Sequence, residues 1–245
     1  DKRMFSTKTI EIKSPAEIGA MRQAGAVVSE ALARVAAAVR PGAATLELDR
    51  IASLELDRRG AKPAFRGYRG FPAALCVSIN DEVIHGIPSE QRRIQEGDLV
   101  SLDLGCFHGG FYSDVAVTVG AGHISPEAQR LMDVTREALR AGIAAMHPAG
   151  RLGDVSHAIQ SLVEAAGFSV VKDFVGHGIG RALHEDPQVP NLGKADTGPR
   201  LTAGMVLAIE PMVNAGAREV RTLDDGWTAV TRDGSLSAHF EHTVA

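Results

Sequence analysis

A chain of 245 residues, 44% hydrophobic and 23% charged with a net charge of −4, is long enough for one large core or two fused halves. With no basic excess and only 4% aromatic residues, an extended nucleic-acid surface is excluded, and no stretch approaches a membrane span. The opening DKRMFSTKTI is polar without a signal-peptide apolar core, and Cys76 and Cys106 sit in apolar strand-like runs, as expected of reduced thiols in a cytoplasmic protein.

Along the chain, Ser14-Pro15-Ala16-Glu17 has the order of a capping box with proline at the first helical position. It predicts a helix running to about Arg40, before Pro41-Gly42. A second helix follows Thr45 and stops at Gly60. Residues 100–119, VSLDLGCFHGGFYSDVAVTV, are two apolar runs around a His-Gly-Gly turn and read as a hairpin. A two-residue loop at His108-Gly109 places Asp103 opposite Asp114, on the face that carries Ser101, Gly105 and Phe107, while Leu102, Leu104 and Cys106 share the other. Ser125-Pro126-Glu127 opens a third helix ending near Pro148, and a fourth fills residues 153–166. The remainder is strands and turns with no linker, so residues 1–245 are expected to form a single domain.

That order hides a repeat. Pro41 to Gly60 and Pro148 to Gly167 both span 19 residues, and each half opens with a Ser-Pro helix start. HGIP from His85 matches HGIG from His177, and GDLVSLD from Gly97 matches GMVLAIE from Gly204, which makes Asp103 and Glu210 equivalent positions. The halves are about 14–119 and 125–245. In LSAHFEHTV, alternation puts Ser237, His239, Glu241 and Thr243 on one face of a last strand.

Four carboxylates, Asp103, Asp114, Glu210 and Glu241, therefore project from apolar strands that hold no Lys or Arg in their cores. A single buried carboxylate need only have a raised pKa, but four converging anions need cations or protons, and two divalent ions would cancel four negative charges. His108, His123, His147 and His157 lie in turns or helices without a partner motif. His177 differs, lying after an apolar strand between glycines that permit close backbone approach, with His184 seven residues on and His85 in VIHGIP. On its own GHGIG is as readily a tight turn with an incidental histidine, and spacing alone does not rank His85 and His184. The glycine spacing is wrong for a dinucleotide fingerprint, and HExxH, a Walker loop and GxSxG are absent.

HGIP, GDLVSLDLG, SDVAVTV, GHGIGRALHEDPQVPN, AIEPMV, DGWT and SAHFEHT together resemble the type I methionine aminopeptidases, and the likeness runs from SPAEIGAMRQAG to the end of the chain. The resemblance implies an α+β pita-bread fold, shared with prolidase, aminopeptidase P and creatinase, in which helices line the outside of an antiparallel sheet built from two pseudo-symmetric halves. It implies five metal ligands, Asp103, Asp114, His177, Glu210 and Glu241, and two divalent ions from among Co²⁺, Mn²⁺, Fe²⁺ and Zn²⁺ that activate a shared water. Asp114 and Glu241 would bridge, and Glu210 would serve as the base. His184 would hydrogen-bond the scissile carbonyl and His85 the scissile nitrogen, while Tyr68, Phe71, Cys76, Leu183 and Trp227 form the methionine pocket. Implied substrates are nascent or short polypeptides that begin with methionine before a small residue, processed in the cytoplasm by a monomer, with the ribosome as a candidate partner.

His239 stands where many relatives carry Gln, and the family's final strand would fall beyond Ala245. A prolidase or aminopeptidase P would use the same ligands but carries a large N-terminal domain. A type II enzyme carries a helical insertion where only 26 residues separate His184 from Glu210. A non-catalytic pita-bread binding protein typically lacks ligands that all stand here.

Overall fold

A computed structural model of the protein describes residues 9–245; the polar opening segment read above lies, over residues 1–8, outside them. Four α-helices appear among the described residues: α1 (Pro15–Ala37), α2 (Thr45–Arg58), α3 (Pro126–Ala144) and α4 (Leu152–Ala165). The capping box forms as read, with Ser14 N–H donating to Glu17 Oε2 (2.7 Å) and Glu17 N–H to Ser14 Oγ (3.4 Å). Helix α1 stops short of Arg40, because the residue before Pro41 is sterically barred from the helical region.

The strands are β1 (Lys62–Pro63), β2 (Leu75–Ile79), β3 (Glu82–Ile84), β4 (Leu99–His108), β5 (Phe111–Gly120), β6 (Ser169–Val170) and β7 (Gly176–Gly178), followed by β8 (Glu185–Val189), β9 (Leu207–Ile209), β10 (Met212–Asn214), β11 (Val220–Thr222), β12 (Ala229–Thr231), β13 (Ser237–His239) and β14 (Glu241–Val244). The main sheet is antiparallel and runs β1-β4-β5-β14-β9-β7-β8, with β2 also on β4. About the central β5–β14 pair, the first half contributes β2, β4 and β5 and the second β7, β9 and β14, in the same order along the chain and across the sheet. The repeat is visible here, since GDLVSLD forms β4 and GMVLAIE forms β9 at matching places.

Each half has its own core. Leu102, Leu104 and Cys106 of β4 pack with Ala24, Val28 and Leu32 of α1 and Leu48 of α2, while Leu207 and Ile209 pack with Leu131 and Leu139 of α3 and Ile159 of α4. The opposite sheet face carries the acidic side chains beside a smaller apolar cluster that includes Cys76, Leu183 and Ala208.

Two expectations are corrected. The hairpin loop is Gly109-Gly110, not His108-Gly109, so His108 opposes Phe111, Asp103 opposes Ala116, and Asp114 opposes Gly105. A two-residue loop of this kind needs positive φ at both positions, and Gly109 (60°) and Gly110 (89°) supply it without a Cβ clash. The two aspartates keep one face but stand diagonally, so like charges are not directly opposed. Residues 237–244 are also not one strand. The chain breaks at Phe240, β13 pairing with β10 and β14 with both β5 and β9.

Thr118 secures that break. Its hydroxyl donates to the His239 carbonyl (2.9 Å), accepts from the His239 N–H (2.9 Å), and contacts Ser101 Oγ (2.8 Å), using its full bonding capacity while 2% exposed. Thr118→Val keeps the volume but strands the buried His239 backbone groups, and should cost about 2–4 kcal/mol. Thr118→Ser should cost about 1 kcal/mol or less. Urea unfolding of the two variants decides this, and equal losses would show that the hydroxyl does not hold the break.

Candidate active site

The acidic face of the sheet meets at its centre. Asp103 comes from β4, Asp114 from β5, Glu241 from β14 and His177 from β7, while Glu210 directly follows β9. Ala116 is the register partner of both Asp103 on one side and Glu241 on the other, so a methyl group is all that stands between two carboxylates across three strands. Thr243 locks β14 beside Asp114, its hydroxyl donating to the Asp114 carbonyl (2.9 Å) and accepting from the Asp114 N–H (3.0 Å).

Ligand atoms of Asp114, His177 and Glu241 all lie within 4.8 Å of one another. Glu210 Oε1 lies 3.5 Å from His177 Nε2. Burial, reinforced by the neighbouring carboxylates, drives Asp103 and Glu241 well above the usual carboxylate range, and Glu210 follows for the same reasons, chiefly burial and then Asp114. Asp114 is raised by burial while its bond with Asp103 and the Val115 N–H oppose the shift. Asp103 Oδ1 and Glu241 Oε1 are buried without a hydrogen-bond partner. Unpartnered carboxylate oxygens, four acids and one imidazole fit a divalent cation site of mostly hard donors. His177 is prepared as a ligand, since its Nδ1 bonds the Gly178 carbonyl at 2.8 Å, which can only accept; the proton is therefore on Nδ1 and Nε2 offers a lone pair. The flanking glycines are required by close approach, because a Cβ at Gly176 would sit 2.3 Å from the Ala208 carbonyl oxygen and one at Gly178 2.3 Å from that of Asp186.

These five residues form the floor of a cavity of about 140 Å³. The walls include Tyr68, Phe71, Cys76, Leu183 and Trp227, together with His85 and His184, so every residue expected at the site lines this one space. A larger groove of about 430 Å³ lies between α1 and the end of β14, but it takes in only Asp114 of the acidic set. Phe71 meets Trp227 edge-on at 5.2 Å between ring centroids. Cys76 is the register partner of Asp103, and burial together with that carboxylate keeps its thiol protonated.

The histidines are held differently. His184 Nδ1 lies 2.8 Å from the Tyr68 hydroxyl, and its ring is 4.2 Å from that of His177. His85 has φ of 62° and abuts the edges of Phe174 (5.7 Å) and Trp227 (6.2 Å). Burial lowers His85 to about 4, and burial with nearby positive and imidazole groups lowers His184 to about 3, so both are neutral at pH 7. His239 is 1% exposed with both ring nitrogens unpartnered, and its Nε2 lies 3.8 Å from Glu210 Oε2.

Sequence reading missed Phe65 and Arg69, which also line the cavity, and Phe174 behind His85. The first two lie in AFRGYRGF, which has neither helical nor strand period and so carries no local signal of which side faces the site.

A methionine aminopeptidase of Clostridium perfringens is 55% identical over 236 residues, covering 96% of this chain and 94% of the relative, and that of Escherichia coli K12 is 42% identical, covering 96% and 89%. The crystal structure of methionine aminopeptidase from Thermotoga maritima superposes with a TM-score of 0.94 at 48% identity, covering 96% of this chain and 94% of the other. A prolidase from Pyrococcus horikoshii shares the fold, with a TM-score of 0.76 at 22% identity, and this chain covers 59% of it. With the family model of metallopeptidase family M24 matching residues 19–245, this α+β pita-bread chain belongs to that family of metallopeptidases.

Proposed function

We propose that this protein is a metallo-exopeptidase that removes the N-terminal methionine from nascent or short polypeptides whose second residue is small. The observation that carries the reading is a buried set of four carboxylates and one imidazole at the floor of an apolar, aromatic cavity. The similarity to proteins named methionine aminopeptidase supports it. Residues 14–119 and 125–245 act as one catalytic unit, because Asp103 and Asp114 come from the first and His177, Glu210 and Glu241 from the second.

Asp103, Asp114, His177, Glu210 and Glu241 would hold two divalent ions, of Co²⁺, Mn²⁺, Fe²⁺ or Zn²⁺. Bound there, such ions supply Lewis acidity and bring the pKa of a water towards neutral. Held as a carboxylate by the cations, Glu210 would take the proton of the attacking water. His184, whose Nδ1 is engaged by the Tyr68 hydroxyl, presents Nε2–H to the scissile carbonyl oxygen and stabilises the charge that develops on it. His85 contacts the departing nitrogen. Both act as neutral donors, as their lowered pKa values require. Tyr68, Phe71, Cys76, Leu183 and Trp227 enclose the methionine side chain and exclude water from it. The substrates are met in the cytoplasm by a monomer, with the ribosome as candidate partner; among the described residues no helix is long and apolar enough to cross a membrane.

Chelation should lower the melting temperature. Returning Mn²⁺ or Co²⁺ at a hundred times its dissociation constant should add about 2.7 kcal/mol, roughly 5–10 °C for a chain of this size. The gain should shrink sharply in Asp103→Asn, and an identical melting temperature with and without metal in the wild type counts against the site. Steady-state kinetics on Met-Ala-Ser and Met-Lys-Ser peptides should show strong preference for the first; comparable kcat/KM values would refute the limit on the second residue. His177→Ala should lose both metal and activity. His184→Ala should keep its metal at saturating Co²⁺ yet lose about a hundredfold or more in kcat with little change in KM, and metal depletion of His184→Ala would reassign it as a ligand.

A further inference from the structure

The turn over residues 67–70 carries a charge for which the reaction above has no use. Among the described residues that line the cavity, Arg69 is the only Lys or Arg. Its backbone is left-handed, φ 49° and ψ 23°, between Gly67 at φ 84° and Gly70 at φ 90°. Side-chain-bearing residues rarely adopt this conformation, and when they do the surrounding structure enforces it. Here the turn closes on itself, with Gly67 N–H donating to the Phe71 carbonyl (2.8 Å) and Phe71 N–H to the Tyr68 carbonyl (2.9 Å).

The guanidinium lies over the Tyr68 ring, 5.3 Å from its centroid, and has no carboxylate partner among the described residues. Nearby Arg66 is engaged, donating from Nη2 to Ser53 Oγ at 2.7 Å with Asp49 at 3.6 Å. Tyr68 thus joins two groups of different use: its hydroxyl reaches His184, and its ring supports an exposed cation with unspent hydrogen-bond donors. Arg69 lines the same cavity as His184, on the other side of Tyr68, and is exposed, so the free charge stands at the rim within the reach of a peptide whose scissile carbonyl is held at His184.

We propose that Arg69 reads a carboxylate on the departing part of the substrate, either an acidic side chain following the small second residue or the free C-terminus of a very short peptide. This rests on the methionine-removal reading of the same cavity. A guanidinium and a carboxylate match as planar two-pronged partners, which gives selectivity as well as attraction. The contact forms at a solvent-exposed rim, so it acts chiefly on binding and weakens with salt.

The test uses the metal-loaded enzyme and C-terminally amidated Met-Ala-Asp-Ala, Met-Ala-Ala-Ala and Met-Ala-Lys-Ala, with Met-Ala-Ala as free acid and as amide. In the wild type, kcat/KM for the Asp peptide should exceed that for the Ala peptide by about 3–10-fold through KM, with the Lys peptide lowest and the spread narrowing at high salt. Arg69→Asn, a residue that tolerates the left-handed backbone, should bring the Asp-to-Ala ratio to one, and Arg69→Glu should invert it. An advantage for Asp alone assigns the side chain as the source, and an advantage for the free acid of Met-Ala-Ala assigns the C-terminus. Cleavage of all these peptides with equal wild-type kcat/KM, or an acidic preference that survives in Arg69→Asn, overturns the assignment while leaving methionine removal intact. No cleavage of any of them overturns the methionine-removal reading, and this inference with it.

Discussion

Repulsion among buried carboxylates is the constraint on which the rest of the structure depends. Asp114 and Glu241 offer oxygens within 4.8 Å of each other. At that separation two negative charges repel by about 3 kcal/mol even at an effective dielectric of 20. Favourable cross-strand pairs contribute only about 0.2–1 kcal/mol each. A hairpin therefore cannot hold such an array in its charged form by itself, and the acids must take up protons or cations. The raised pKa of every acid in the cluster expresses the first outcome. The unpartnered Asp103 and Glu241 oxygens and the lone pair presented by His177 suit the second.

Much of the surrounding framework can be understood as rigidity supplied against that repulsion. The acids lie on strands whose other faces are sealed into two separate helix-backed cores, so the sheet cannot splay to relieve the charge. Thr243 clamps β14 to the backbone of Asp114, and Thr118 holds the chain break that turns β13 into β14. Ala116 leaves room between acids on its two flanking strands. These are small or singly hydroxylated side chains, which add hydrogen bonds or space without adding charge. Above the floor the same restraint holds, because half-buried His85 and His184, which stays open to solvent, both have lowered pKa values and can donate hydrogen bonds without adding fixed positive charge beside the metal site.

A good deal of this was legible along the chain, for local reasons. Helix starts at Ser14 and Ser125 depend on capping within a single turn, and both formed. Alternation in β4 separates Leu102, Leu104 and Cys106 from Asp103 because successive strand residues point to opposite faces. The matched Gly97 and Gly204 segments became β4 and β9 about one axis of the sheet, since a duplicated pattern buries the same positions twice. Where reading failed, the deciding term was backbone conformation or a distant partner. The hairpin slipped by one loop residue because two glycines accept positive φ more readily than His108 and Gly109, and the expected last strand broke because β10 and β5 compete for its two ends.

By itself the sequence determined which residue types were available: four acids in apolar strands without a compensating Lys or Arg, and a histidine between glycines. That inventory follows from periodicity and composition, which are properties of neighbours along the chain. Only the tertiary structure decided that Asp103 stands diagonal to Asp114, that Ala116 separates Asp103 from Glu241, that His177 carries its proton on Nδ1, and that Arg69 sits at the rim. Each of these depends on register, on a hydrogen-bond partner or on a φ angle set by contacts between segments far apart in sequence. Such contacts arise when strands from two halves pair side by side in one sheet and the dielectric around them falls, and no local pattern records that event.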